Sequence, residues 1–238
     1  MKLYSYLALG DSYTIGEQVQ LTESFPYQTV ELIRRFYTTP SAVANPDGGC
    51  IKMDILLKEA TPTTAAGAES RRQGLQITAP EIVASTGFTT DELNAAIDKA
   101  TLLPQYDFVS LLIGVNNQYR GKPVGDFIKG FENLLQRAIY FAAGNNQHVF
   151  ILSIPDWGVT SFAADRDTKK IAVEINAYNK VCELMATKYN THFINITTSQ
   201  RLDGNDNEFL AADKLHPSGK EYAKWAALLS KKIISCII

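Results

Sequence analysis

Apolar positions along the chain alternate between short, nearly continuous runs and longer stretches recurring at helical spacing. The short runs are Tyr4–Leu9, Glu81–Ser85, Asp107–Ile113, His148–Ile154 and His192–Ile196. They are rich in β-branched, aromatic or leucine residues and bounded by Gly, Pro, Asp or Asn, which predicts strands. Between them, the patterns over Phe25–Phe36, Asp91–Leu102, Val124–Ala142, Thr168–Tyr189 and Glu221–Ile234 predict helices. In the third, Phe127, Ile128, Phe131, Leu134, Leu135, Ala138 and Ile139 fall on one stripe. Thr89 followed by Glu92, and Ser218 followed by Glu221, both read as capping boxes at helix starts.

Strands that are apolar on both faces, alternating with helices, imply a parallel sheet covered on each side. The predicted fold is therefore a five-stranded, flavodoxin-like, three-layer α/β/α sandwich. At 238 residues the chain suits one domain over residues 1–238. Ligands in such sheets bind just beyond the carboxyl ends of the strands, so chemistry is expected there. One stretch breaks the rhythm. Tyr37 to Ala79 carries Pro40, Asn45-Pro46-Asp47-Gly48-Gly49, a short apolar piece Ile51–Leu57 and a Thr/Ala/Gly-rich run to Arg71-Arg72. It reads as an irregular insertion, with a loosely packed excursion preferred to a lid.

A net charge of -2 offers no electrostatic footprint for nucleic acid or an anionic membrane surface, so function must come from a local site. Cys50, Cys182 and Cys236 form no C-x-x-C pair, so zinc and redox motifs are unsupported and buried free thiols are expected. The apolar start from Leu3 to Leu9 is interrupted by Ser5 and lacks a small-residue cleavage site, unlike a signal peptide. No stretch approaches the roughly 20 apolar residues of a membrane span. A cytoplasmic location is expected.

Four segments that follow predicted strands carry candidate chemistry. In Gly10-Asp11-Ser12, a serine at a strand's carboxyl end can expose its hydroxyl and leave its own N–H free, although the tripeptide is also ordinary turn chemistry. Asp213 and His216 stand three apart, so the carboxylate can hold one imidazole nitrogen while the other takes a proton. His148 and His192 each open a strand, the wrong end for chemistry, and look structural. Gly114-Val115-Asn116-Asn117 places side-chain amides where one could donate to an oxyanion. Gly87 lets backbone approach a ligand and offers an N–H at the mouth of a helix. Taken alone, the serine, asparagine and glycine segments read more readily as turns, and His216 as a surface histidine beside a helix start. Together they would converge on one edge of the sheet.

These blocks resemble the GDSL/SGNH hydrolase family: Gly10-Asp11-Ser12-Tyr13, Gly87, Gly114-Val115-Asn116-Asn117 and Asp213-Lys214-Leu215-His216. The resemblance runs over nearly the whole chain and implies the flavodoxin-like fold already inferred. It further implies Ser12 as nucleophile, His216 as general base and Asp213 as its orienting partner. The Ser12 and Gly87 N–H groups, with the Asn116 side chain, would form the oxyanion hole. Two positions depart from the pattern. Tyr13 stands where the family name has Leu, and Asn117 where Asp is usual. Neither supplies a catalytic atom in the family scheme.

The implied reaction is ester hydrolysis through an acyl-enzyme, needing no metal or organic cofactor, on a small-molecule ester. Asn117, Tyr119, Arg120 and Trp157 are plausible pocket residues, although Trp157 more simply packs under a loop. No long amphipathic lipid-binding face is evident. Short acyl groups, such as acetyl on a carbohydrate or small molecule, are therefore favoured. A lysophospholipase or thioesterase is the alternative within the enzyme class. A non-catalytic carbohydrate- or anion-binding module is the alternative outside it, since glycine-rich turns at helix starts also suit anions.

Overall fold

The computed structural model describes residues 2–38 and 75–237. Their elements in chain order are β1 (Lys2–Tyr4), β2 (Tyr6–Gly10), α1 (Ser12–Ile15), α2 (Phe25–Thr38), β3 (Leu75–Ile77) and β4 (Glu81–Ala84). There follow α3 (Thr90–Lys99), β5 (Phe108–Leu112), α4 (Val115–Tyr119), α5 (Val124–Phe141), β6 (Val149–Leu152) and α6 (Thr168–Tyr189). The chain then forms β7 (His192–Ile194), α7 (Thr197–Asp203) and α8 (Gly219–Ile237).

The main sheet has five parallel strands in the order β4-β2-β5-β6-β7. This is the flavodoxin-like order, as the sequence predicts. From β2 the chain steps to one edge, then crosses back to β5, which makes the gap between β2 and β5 the topological switch point. Right-handed crossovers then put α2 and α8 together on one face and α3, α5 and α6 on the other. The central strands β2, β5 and β6 are buried at every position, which explains their unbroken apolar runs. Under α2 and α8, Trp225 meets Tyr222 edge-on at 5.1 Å and Phe25 at 6.2 Å.

Register matters most for function. Gly10 pairs with Ala84 on one side and with Leu112 on the other, so three strands end level. Whatever follows Gly10, Ala84 and Leu112 by two to four residues must share one rim. Those residues are Ser12, Gly87 and Asn116.

Several expectations need correction. The first predicted strand divides at Ser5, whose N–H and hydroxyl both donate to Asp107 Oδ2 at 2.8 and 3.0 Å. Ahead of that point β1 leaves the main sheet and pairs in parallel with β3. The stretch expected to be irregular from Tyr37 to Ala79 thus has regular ends: α2 runs to Thr38, and Leu75–Ile77 is a strand. A three-residue strand is too short for its alternation to register in the sequence. Cys50, Ile51–Leu57 and Arg71-Arg72 lie outside the described residues.

The capping box at Thr89–Glu92 is present, with the Thr89 N–H donating to Glu92 at 2.8 Å. The second is not. Glu221 is buried and accepts the Trp225 indole N–H at 2.9 Å, while the Ser218 hydroxyl donates to the Glu208 carbonyl at 2.7 Å. A buried indole needing an acceptor has captured the glutamate. Cys182 is buried and free, but Cys236 is only partly buried. His148 and His192 stack on Phe108 and Phe150, with centroids 5.0 and 5.2 Å apart, at the amino ends of β6 and β7. Burial holds both imidazoles below the usual histidine range.

Candidate active site

The serine block is built by close approach. Gly10 ends β2 where any Cβ would lie 2.0 Å from Thr14 Oγ1 and 2.5 Å from the Leu112 carbonyl oxygen, so only glycine fits. Asp11 then caps the single turn Ser12–Ile15, its Oδ1 accepting the Tyr13 N–H at 3.1 Å. Ser12 occupies the first position of that turn. Its backbone N–H has no acceptor among the described residues.

Two hundred residues later, the segment after Leu210 folds back on itself. The Ala211 N–H donates to the His216 carbonyl at 2.8 Å, and Leu210 bridges Pro217 in antiparallel fashion. Asp213 Oδ1 accepts the N–H groups of both Leu215 and His216 at 3.0 Å. Its other oxygen, Oδ2, meets His216 Nδ1 at 2.6 Å. The opposite ring nitrogen, Nε2, lies 3.0 Å from Ser12 Oγ. His216 is buried, with the Tyr13 ring 5.3 Å from its own.

Electrostatics favour the ionised form of Asp213. Burial alone raises the Asp213 carboxyl, but the hydrogen bonds from the His216 ring and from two backbone N–H groups outweigh it and hold Asp213 below the usual range. Asp213 is therefore ionised and accepts from Nδ1–H. In a neutral imidazole whose Nδ1–H faces Asp213, Nε2 carries the lone pair toward the serine hydroxyl.

The rim opposite is held by α4. The Phe88 N–H returns to the Ser85 carbonyl at 3.2 Å, closing a turn in which Gly87 sits at φ +81°. That left-handed backbone favours glycine, and the Gly87 N–H has no acceptor among the described residues. The Asn116 amide donates to the Phe88 carbonyl at 3.1 Å, leaving one N–H of the same NH₂ group uncommitted. Arg120 donates to the Gly87 carbonyl at 2.6 Å and to Glu92 at 3.1 Å. Expected to line the pocket, Arg120 instead clamps the glycine turn.

The other expected pocket residues divide. Asn117 is buried, its carbonyl oxygen accepting the Thr90 N–H at 3.1 Å and its amide donating to Thr90 Oγ1 at 2.9 Å. It fastens α4 to α3 rather than facing the rim. Trp157 is also buried, its indole N–H donating to Gln118 Oε1 at 2.7 Å, so it packs beneath the surface. Tyr119 is exposed and meets the edge of Trp157 at 5.2 Å. Sequence reasoning passed over Phe162, whose N–H donates to the Lys214 carbonyl inside the histidine loop at 3.2 Å. An aromatic residue among the small and polar residues after β6 was the available signal. Among the described residues, no group of three or more His, Cys, Asp or Glu converges as a metal site. No described helix is long and apolar enough to cross a membrane.

Asp11 carries a stability prediction. It is wholly buried, and Oδ2 has no partner among the described residues. Burial pushes its carboxyl up to about 8, against the lowering effect of the Tyr13 N–H. In the unfolded chain it titrates near ~4. A raised folded pKa means that its contribution is complete below the unfolded value. That contribution declines as pH rises and is lost through the folded value. The isosteric Asp11→Asn variant keeps the cap acceptor and cannot ionise. Its melting temperature, relative to wild type, is expected to climb steadily between about pH 5 and pH 9. Parallel melting curves across that window would refute the buried-acid assignment.

A parallel sheet with its polar groups gathered at the switch point defines a doubly wound α/β class with its ligand site beyond the strand ends. The chain belongs to the GDSL-like lipase/acylhydrolase family, whose model matches residues 57–224. The match takes in Gly87, Asn116, Asp213 and His216, begins inside the stretch expected to be an insertion, and starts after Ser12. Among solved structures, the chain is similar to the lipase/acylhydrolase from Enterococcus faecalis, at 19% identity and a TM-score of 0.60. That alignment covers 98% of this chain and 95% of the other. It is similar also to an acetylxylan esterase from Geobacillus stearothermophilus, at 14% identity, 97% and 94% coverage and a TM-score of 0.58. A psychrotrophic esterase from Pseudoalteromonas sp., inhibited by monoethylphosphonate, aligns at 13% identity over 97% of both chains with a TM-score of 0.56. At these identities the likeness is one of fold. No curated protein sequence matches the chain.

Proposed function

We propose that the protein is a serine esterase acting through an acyl-enzyme, with Ser12 as nucleophile, His216 as general base and Asp213 as its orienting partner. The observation that carries this reading is the unbroken relay from Asp213 Oδ2 through the imidazole to Ser12 Oγ, at 2.6 and 3.0 Å.

The hydroxyl attacks the ester carbonyl as Nε2 takes its proton, and ionised Asp213 stabilises the imidazolium that results. Negative charge gathers on the former carbonyl oxygen. The Ser12 and Gly87 N–H groups and the free N–H of Asn116 are the donors available to receive it. His216 then protonates the departing alcohol, and the same nitrogen activates water to cleave the acyl-serine.

For substrate, the reading is a short acyl ester, such as acetyl on a carbohydrate or small molecule. Support comes from the polar rim and from the fold shared with an acetylxylan esterase. A binding module would have no use for the relay.

The test is covalent labelling with a fluorophosphonate. An activated Ser12 is expected to take up one equivalent, located by peptide mass, and to lose reactivity in His216→Ala. An intact protein that stays unlabelled under conditions that saturate a control serine hydrolase would end the proposal.

A further inference from the structure

Beside the relay stands an aromatic group whose exposure the fold does not require. Trp157 is 5% exposed, whereas Tyr119 and Phe162 on either side of it are 49% and 42% exposed. Their rings meet the indole at 5.2 and 6.3 Å, both edge-on with interplanar angles of 65°. One flank belongs to α4, three residues beyond Asn116. The other is bonded through its N–H to the Lys214 carbonyl, between Asp213 and His216. The group therefore spans from the oxyanion segment to the histidine loop.

It is also rigid. The Trp157 N–H is held by Gln118, whose amide is in turn held by Glu174 at 2.7 Å. Beneath the turn Trp157–Val159, Asp156 Oδ1 accepts the Gly158 N–H at 3.0 Å, and its buried Oδ2 pairs with Arg201 at 2.8 Å. Half-exposed aromatic rings held by a buried indole and a partly buried ion pair form a surface prepared for contact.

Resting on the esterase reading above, we propose that Tyr119 and Phe162 form a stacking platform for a sugar ring in the alcohol portion of the ester. The C–H face of a pyranose presents weakly positive hydrogens to the negative face of an aromatic ring, and its hydroxyls stay at the wet margin. An aliphatic acyl chain needs enclosure to leave water, and an open aromatic shelf gives it little.

The test compares glucose penta-acetate with ethyl acetate, which has no ring to stack. In Phe162→Ala and Tyr119→Ala, the ratio of kcat/KM for the sugar ester over ethyl acetate is expected to fall about three- to tenfold, mainly through KM. Phe162→Tyr restores the ratio. An unchanged ratio in both alanine variants overturns the platform. So does a change confined to the preference between octanoyl and acetyl esters, which would make the shelf an acyl site. The esterase reading fails separately, if wild type hydrolyses neither ester. Binding then decides the platform: in isothermal titration calorimetry, Ser12→Ala protein should bind glucose penta-acetate, and adding Phe162→Ala should weaken that binding at least threefold.

Discussion

Ser12→Ala is expected to lower kcat on p-nitrophenyl acetate by roughly four to six orders of magnitude, with the fold intact. Removing Oγ deletes the atom proposed to form the acyl bond and leaves His216 Nε2 facing a methyl group. What survives is the contribution of the oxyanion donors and of binding, worth about 10³–10⁴ over water in comparable relays. The side chain is small and makes its described hydrogen bond only to His216, so the melting temperature should barely move. Steady-state kinetics with active-site titration checks this, because contaminating wild type sets the floor. Retention of more than a hundredth of wild-type kcat, after titration, would remove Ser12 from the chemistry.

The second large effect belongs to Asp213→Asn, expected to cost about 10³–10⁴ in kcat. The argument turns on the two carboxylate oxygens having different tasks. Oδ1 accepts the Leu215 and His216 N–H groups, and an asparagine oxygen can keep both bonds, so the loop stays folded. Oδ2 accepts from Nδ1, and there an amide NH₂ would donate instead. The ring must then present an acceptor at Nδ1 and carry its proton on Nε2. Nε2–H points at Ser12 Oγ and cannot receive a proton from it. A tautomer effect of this kind predicts a large loss of kcat with nearly unchanged thermal stability. Equal losses of both would mean that Asp213 is only a loop clip.

Much of this was legible in the sequence for local reasons. The five strands and five long helices follow from periodicity, and the predicted limits of α6 coincide with the observed ones at Thr168 and Tyr189. Elements that failed to register are the ones with too few residues to show a period: β1, β3 and the short helices α1, α4 and α7. The second capping box misled because its pattern is local while its outcome was not. Glu221 had a tryptophan one turn ahead that needed it more.

Among pocket residues the divergence is sharper. Asn116 and Asn117 are adjacent and chemically identical, yet one reaches the glycine turn at Phe88 and the other is sealed against Thr90. Their opposite directions follow from where α4 packs. Arg120 similarly has the right chemistry for a substrate contact but meets a carbonyl of the protein first. Phe162 was invisible because its importance lies in touching Lys214, far along the chain.

By itself the sequence determined the alternation of buried strands and amphipathic helices, and the placing of Ser12, Gly87, Asn116 and His216 after strands. These depend on side-chain periodicity and turn chemistry acting over a few residues. Only the tertiary structure decided that Gly10, Ala84 and Leu112 end level, that His216 reaches a hydroxyl 204 positions away, and which side chains face outward. The reason is physical: strand register and packing select one partner for each polar group from many that local chemistry allows.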